Sequence, residues 1–290
     1  MPDRGAPRVI PGGVLDGGAG DSEPRLAPAP GRLFFVVGAF DGLHRGHIYL
    51  LAQLREAAAR HQAQPAVITF DHHPDEILVG AAPPVLCDPL ERLVRFGRAG
   101  VDVVVVQHFD TAVRMTPYAE FVAAIARRFA LAGFLMTPDA AFGHERHGTP
   151  AALAELGRSL GFAVDVVEPF DIDGRPVRST EIRVDIADGR LDAARRLLGR
   201  SVAVAGQVDR RGAVRRDFGL EFDLPVALPP PGRYRVDLES AWAPDQPRVA
   251  NPVGAIAVVG PNGSIDIELT GRSSRPAADR LRVRFIGLAV

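Results

Sequence analysis

The sequence predicts an α/β protein in two parts, a doubly wound parallel sheet followed by a small antiparallel β-barrel. Three observations carry this reading. Short β-branched runs with little polar alternation, such as residues 101–106 (VDVVVV), read as strands covered on both faces. Helical stretches with clear start signals lie between those runs, and this alternation is the pattern of a parallel sheet flanked by helices. After Gly199-Arg200 the helical period stops, and short alternating segments separated by proline and glycine turns take over.

In chain order, residues 1–31 are rich in Gly, Pro, Ala and Asp without an apolar period, and are expected to be a disordered leader. Residues 33–37 (LFFVV) predict the first strand, with a helix following from about His47 to Arg60. Residues 66–70 (AVITF) predict the second strand. The next helix has Asp88 as its N-cap, Pro89 at the first helical position, Glu91 in the first turn and Gly100 past its end. Residues 101–106 then form a strand, and Thr116-Pro117 opens a helix through about Ala132. Residues 134–136 and 164–167 read as strands around a helix starting near Thr149-Pro150. One domain is therefore expected over 32–200. The segments 201–208, 234–238, 255–259, 265–269 and 280–286 predict a second, barrel domain over 201–290.

Composition narrows the function. The 290 residues carry 34 basic and 35 acidic side chains, a net charge of −1, which gives no support for nucleic acid or a membrane surface as partner. No apolar run approaches the roughly 18 residues of a membrane span, and no signal peptide is read at the start. One cysteine, Cys87, excludes an internal disulfide framework and a multi-cysteine zinc site. A cytoplasmic protein acting on small molecules is the expectation; the sequence leaves the oligomeric state open. Lysine is absent, which removes Schiff-base chemistry and the lysine-dependent phosphate loop. Phosphate must then be handled by Arg, His, backbone amides, helix N-termini or a metal. All eight histidines lie between His44 and His147, so imidazole chemistry belongs to the first half.

In such sheets ligands bind beyond the carboxyl ends of strands, which directs attention to the loop after the first strand. It reads Gly38-Ala39-Phe40-Asp41-Gly42-Leu43-His44-Arg45-Gly46-His47. Two histidines three apart at a helix start share a face, and the amides beside them favour phosphate. Gly46 leaves room for a ligand, and Gly38 and Gly42 permit tight turns. Further along, Arg178-Ser179-Thr180-Glu181-Ile182-Arg183 places two hydroxyls at a helix N-terminus, where they can cap it or bind an oxyanion. Arg183, one turn later, supplies a cation that can fork onto phosphate oxygens.

The string from Gly38 to His47 resembles the H-x-G-H nucleotidylyltransferases, and most closely the adenylyltransferase module of prokaryotic FAD synthetases. The segment 178–183 resembles that family's S-S-T-x-I-R, with Arg178 in place of the first serine. The resemblance implies that His44, His47 and Arg183 are catalytic and meet ATP phosphates. It also implies that Gly38, Phe40, Asp41, Gly42, Gly46, Ser179 and Thr180 hold the nucleotide. Ile68-Thr69-Phe70-Asp71-His72-His73-Pro74 is similar to the family's F-x-x-H-P element and brings in His73. The segment 139–148 resembles its flavin-holding loop and brings in Asp139, Phe142 and Arg146, with Ala140-Ala141 where the family has bulkier residues.

The implied reaction is AMP transfer from ATP to FMN, giving FAD and pyrophosphate, with Mg²⁺ as cofactor and no protein metal ligands assigned. In the bifunctional members a riboflavin kinase barrel follows, with a P-T-A-N element. Here Leu220-Glu221-Phe222-Asp223-Leu224 stands in its place, so the second domain is expected to be kinase-like in fold without kinase activity. Two alternatives stay open. One is a related nucleotidylyltransferase with another nucleotide or phosphorylated acceptor; the other is a catalytically silent flavin- or nucleotide-binding protein.

Overall fold

A computed structural model describes residues 6–15, 31–209, 218–241, 252–270 and 278–289. Fourteen strands and eight helices run in this order among the described residues: β1 (Arg8–Ile10), β2 (Arg32–Val37), α1 (Arg45–Arg60), β3 (Gln64–Phe70), α2 (Pro74–Leu78), α3 (Pro89–Arg98), β4 (Val103–Gln107), α4 (Thr111–Met115), α5 (Tyr118–Arg128), β5 (Ala130–Met136), α6 (Pro150–Leu160) and β6 (Ala163–Val166). A short hairpin of β7 (Asp171–Ile172) and β8 (Arg175–Pro176) leads to α7 (Ser179–Ala187) and α8 (Leu191–Leu198). The barrel strands are β9 (Ala203–Val208), β10 (Phe218–Glu221), β11 (Gly232–Ser240), β12 (Val253–Val259), β13 (Ile265–Leu269) and β14 (Arg280–Leu288).

Two compact units result. The first comprises Met1–Phe40, Gly46–Pro83 and Leu93–Pro176; the second comprises Asp41–Arg45, Pro84–Arg92 and Val177–Val290. The sequence-based boundary after Arg200 thus differs from the division in the structure, where α7 and α8 belong to the barrel's unit.

The first unit is built on a parallel sheet of order β1-β4-β3-β2-β5-β6. Leu33 to Val36 of β2 are buried in succession, as expected of a central strand covered on both faces. Helix α1 buries Leu51, Leu54, Ala57 and Ala58, a spacing that presents one stripe to its neighbours. The core gathers Leu33, Phe35, Ile68, Val105, Ile125 and Phe134. Strand order reverses at β2, with β3 and β4 on one side and β5 and β6 on the other. The carboxyl ends of β2 and β5 therefore diverge around a crevice.

Two sequence expectations need correction here. Part of the expected leader is structured: β1 pairs with β4, and the Gln107 Oε1 accepts from the Val14 and Leu15 amides at 2.6 and 3.2 Å. A three-residue strand bracketed by Pro7 and Pro11 has no readable period, so only its pairing reveals it. Residues 1–5 and 16–30 of that leader lie outside the described residues. The helix expected to run to Ala132 ends at Arg128, and β5 begins at Ala130. The apolar run Phe129-Ala130-Leu131 suits either state, and pairing of Arg32 and Leu33 with Ala130 and Leu131 decides it.

In the second unit, six strands close into a barrel of order β10-β13-β12-β11-β14-β9. Its inward positions alternate, with Tyr234, Val236 and Leu238 buried on β11 and Leu281, Val283 and Phe285 on β14. The fold class read from the sequence is the one observed.

Candidate active site

The motif loop leaves β2 at Gly38, whose amide donates to the Ile68 carbonyl at 3.0 Å, and the Thr69 hydroxyl donates to the Ala39 carbonyl at 3.2 Å. Phe40 takes a positive φ of 52°, Gly42 a φ of 80° and Leu43 a φ of 37°. Left-handed backbone at two non-glycine residues is strain that the surroundings must hold, and such strain gathers at functional loops. At Gly42 a Cβ would also stand 3.0 Å from the Leu86 Cβ. Phe40 is buried, its ring 5.1 Å from the His47 imidazole and 5.4 Å, edge-on, from Phe96. Packing of this kind fixes the start of α1, with Gly46 in its first turn.

Within the first unit a cavity of about 690 Å³ opens at the diverging ends of β2 and β5. Its wall includes Gly38 and Ala39 of the motif, Phe70, Phe109, Phe142 and Arg146. The volume falls in the range of pockets that enclose a cofactor-sized ligand. Of the four expected acceptor residues, Phe142 and Arg146 are in the wall. Asp139 is exposed and outside that wall, its carboxylate accepting from the Thr137 hydroxyl at 2.8 Å and its carbonyl from Arg146 at 3.0 Å. His73 instead caps α2, its Nδ1 accepting from the Asp75 amide at 3.2 Å, and its chain neighbour Pro74 lines the cavity. Gly143, with φ of 77°, lets the loop pass where a Cβ would stand 2.5 Å from the Tyr118 nitrogen.

Asp41–Arg45 of the motif fall in the second unit, where arginines hold Asp41, Gly42 and Leu43. The Asp41 carboxylate receives the Leu86 amide at 3.0 and 3.1 Å and Arg183 Nη2 at 2.6 Å. Arg183 Nε also donates to the Pro84 carbonyl at 2.8 Å. The Ser179 hydroxyl donates to the Asp41 carbonyl at 3.0 Å. Arg200, unforeseen as a site residue, donates to the Gly42 carbonyl at 2.6 Å and to the Leu43 carbonyl at 3.4 Å. Its signal in the sequence is weak, one arginine after a helix-ending glycine.

Thr180 is exposed on the first turn of α7. The capping role expected of Ser179 and Thr180 is not what the structure shows. The N-cap is Arg178, without a side-chain cap bond, and Ser179 is spent on the motif loop.

His44 is buried among these groups, and its pKa is lowered from 6.5 to about 4. Burial is the larger cause, followed by the positive charges of Arg200 and Arg183. The imidazole is therefore neutral at pH 7, able to donate one hydrogen bond, inside an already cationic neighbourhood.

Magnesium was expected with ATP, and a hard cation of that kind requires oxygen ligands in octahedral array. The carboxylate within the motif, Asp41, is already engaged by Arg183 and the Leu86 amide. The residues around the motif thus do not fit a protein-held magnesium site.

A family model described as FAD synthetase matches residues 27–181, more than half of the chain. The bifunctional riboflavin kinase/FMN adenylyltransferase of Pseudomonas fluorescens is 31% identical, over 81% of this chain and 76% of the relative. The chain belongs to the FAD synthetase family. Membership places it among the nucleotidyltransferases. The protein of the same description from Escherichia coli K12 is 28% identical over 81% of this chain and 77% of its own. In fold, the chain is similar to a solved structure described as a macrolide-efflux protein from Streptococcus pneumoniae. That likeness has a TM-score of 0.76 and 22% identity, and it covers 98% of this chain and 91% of the other. No helix among the described residues is long and apolar enough to cross a membrane.

Proposed function

We propose that this chain transfers AMP from ATP to the phosphate of FMN, releasing pyrophosphate and forming FAD, and that it lacks riboflavin kinase activity. The observation that carries the transferase reading is the cavity of about 690 Å³ whose wall includes Gly38 and Ala39, the first residues of the H-x-G-H loop. An FMN phosphate oxygen attacks the α-phosphorus of ATP, and the bond from that phosphorus to the bridging oxygen of the departing pyrophosphate breaks. The attacking oxygen is already anionic near neutral pH, so alignment and charge stabilisation suffice, without a strong base.

His44 and His47 donate to phosphate oxygens in this reading, and Arg183, fixed by Asp41, contributes positive potential. Gly46 and the backbone amides of the α1 first turn add dipoles aimed at the anion, and Thr180 offers a hydroxyl. Burial keeps His44 neutral, and a bound triphosphate would offset the further contribution of Arg200 and Arg183. Phe142 and Arg146, the latter held by the Asp139 carbonyl, hold the acceptor; His73 acts by ordering α2, whose Pro74 is in the wall.

The kinase-silent reading rests on the barrel. Leu220 and Glu221, where the metal- and nucleotide-binding element is expected, are consumed in β10, paired with β13 and β9. Glu268 is bound by both Arg233 terminal nitrogens at 2.7 and 2.5 Å. Those hydrogen bonds lower its pKa and leave a poor base. Ala140 and Ala141 in the cavity wall favour a second reading, adenylyl transfer to a phosphorylated acceptor bulkier than FMN. Incubation with ATP, Mg²⁺ and either FMN or riboflavin, followed by chromatography, tests these readings. FAD from FMN alone is expected. FAD from both would restore the kinase, and no product from either would reject FMN as acceptor.

A further inference from the structure

Strands β3 and β4 are register neighbours, with Phe70 opposite Gln107, so the residues leaving their carboxyl ends emerge side by side. Asp71 and His72 follow β3, and His108 follows β4. The Asp71 Oδ2 is 2.7 Å from His108 Nδ1, and its Oδ1 is 3.1 Å from His72 Nδ1. The two rings stand 5.5 Å apart and nearly perpendicular, at 86°. One ligand atom from each residue lies within 4.8 Å of the others.

We infer that Asp71, His72 and His108, brought together at the ends of β3 and β4, form a binding site for a late first-row divalent cation of the zinc type. Two imidazoles and a carboxylate suit Zn²⁺, Ni²⁺ or Cu²⁺ and do not suit Mg²⁺ or Ca²⁺, which select oxygen. Three protein ligands with a fourth position left to water make an open zinc site. Ligand atoms around a tetrahedral zinc lie about 3.4 Å apart, given bonds of about 2.1 Å. The separations of 2.7 and 3.1 Å, to different Asp71 oxygens, need to widen by about 0.3–0.7 Å, and the three ligand atoms, now within 4.8 Å of one another, need to draw to that spacing. The side chains are 35–54% exposed, which gives an ion a path in. Their chain neighbours Phe70 and Phe109 pack edge to face at 5.1 Å and line the large cavity, so an ion here would tie together two loops that carry wall residues. The inference stands on this geometry alone and not on adenylyl transfer.

The test is calorimetric titration of the EDTA-stripped full chain with ZnCl₂, with Co²⁺ absorption as a spectroscopic partner. One equivalent is expected to bind, with visible cobalt bands of a site containing nitrogen ligands. A partner that only orients a ligand is worth about 10–100-fold in affinity, so loss of a ligand itself should cost at least about tenfold. His72→Ala and His108→Ala should each show that loss, as should Asp71→Asn, which keeps the shape of the carboxylate. His147→Ala, at an exposed histidine elsewhere, should bind as the unaltered chain does. Circular dichroism of these surface variants checks that the fold is kept. Absence of saturable binding would overturn the inference, as would unchanged affinity in both histidine variants. Loss of binding in His47→Ala with retention in those two would overturn it as well.

Discussion

The ends of the parallel sheet and the barrel spend similar residues in opposite ways. At the ends of β2 and β5 the chain leaves an opening of about 690 Å³, and side chains such as Phe142 and Arg146 face it. Beside the barrel, the cavity lined by Phe222, Asp223, Leu224 and Arg280 holds about 70 Å³. Charged groups there are closed on each other. Arg280 pairs with Asp88 at 2.5 Å, and Arg282 bridges Glu91 and Glu239, both at 3.0 Å. Alternate residues of β14 lie on one face, so Arg280, Arg282 and Arg284 form a row met by acidic partners. A fold keeps a site where strand ends diverge and backbone amides point outward. Beside the barrel, the arginines and carboxylates named here are paired with each other.

The largest effect that would sharpen this contrast is expected at Arg183. Its removal leaves Asp41, 6% exposed, as a buried carboxylate without its cation. Breaking a buried pair in this way costs about 3–5 kcal/mol. Arg183→Ala should lower the urea midpoint of the second unit accordingly and abolish turnover; an unchanged midpoint would show that the pair is not structural.

His47→Ala comes next. A drop in turnover of roughly ten- to a thousandfold is expected if the imidazole stabilises transferring charge. Its ring packs on Phe40, so a stability measurement should accompany the kinetics. Untouched turnover would move the chemistry elsewhere.

His44 gives a pH signature. Its folded pKa of about 4 lies below the unfolded value near 6.5, so the unfolded chain takes up a proton first as pH falls. The native state is then stabilised fully above pH 6.5, and the contribution is lost as pH drops towards 4, by on the order of 3 kcal/mol. His44→Gln, which cannot titrate, should lose less stability across that window. Parallel curves for the two proteins would contradict the depressed pKa.

Smaller effects mark the edges of the comparison. Ala141→Leu should raise KM for the acceptor by roughly tenfold, since one added apolar group in a pocket is worth about that much. An unaltered KM would place the acceptor outside this cavity. Glu268→Gln on the barrel should leave FAD formation from FMN unchanged.

Much of this arrangement was legible in the sequence because its chemistry is local. Gly38 to His47 carries its own turns, donors and helix start, and the Asp88 cap, with its Oδ1 receiving the Leu90 and Glu91 amides, was equally plain. What stayed hidden depends on pairing across long separations. Nothing near Asp41 announces that Arg183 and the Leu86 amide will satisfy it, or that Arg200 will hold the Gly42 carbonyl. Helix α4, five residues capped by the Asp110 carboxylate on the Val113 amide, is too short for its period to show. The sequence marks His73 as a site residue but does not announce that its Nδ1 accepts from the Asp75 amide to cap α2.

The central proposal is that the chain transfers AMP while its barrel transfers no phosphate. Following label from ATP tests it directly. With ATP labelled at the α-phosphorus and FMN as acceptor, label should enter FAD. With ATP labelled at the γ-phosphorus and riboflavin as acceptor, no label should enter FMN. Label in FMN would contradict the silent barrel, and an unlabelled FAD fraction in the first arm would contradict the transferase itself.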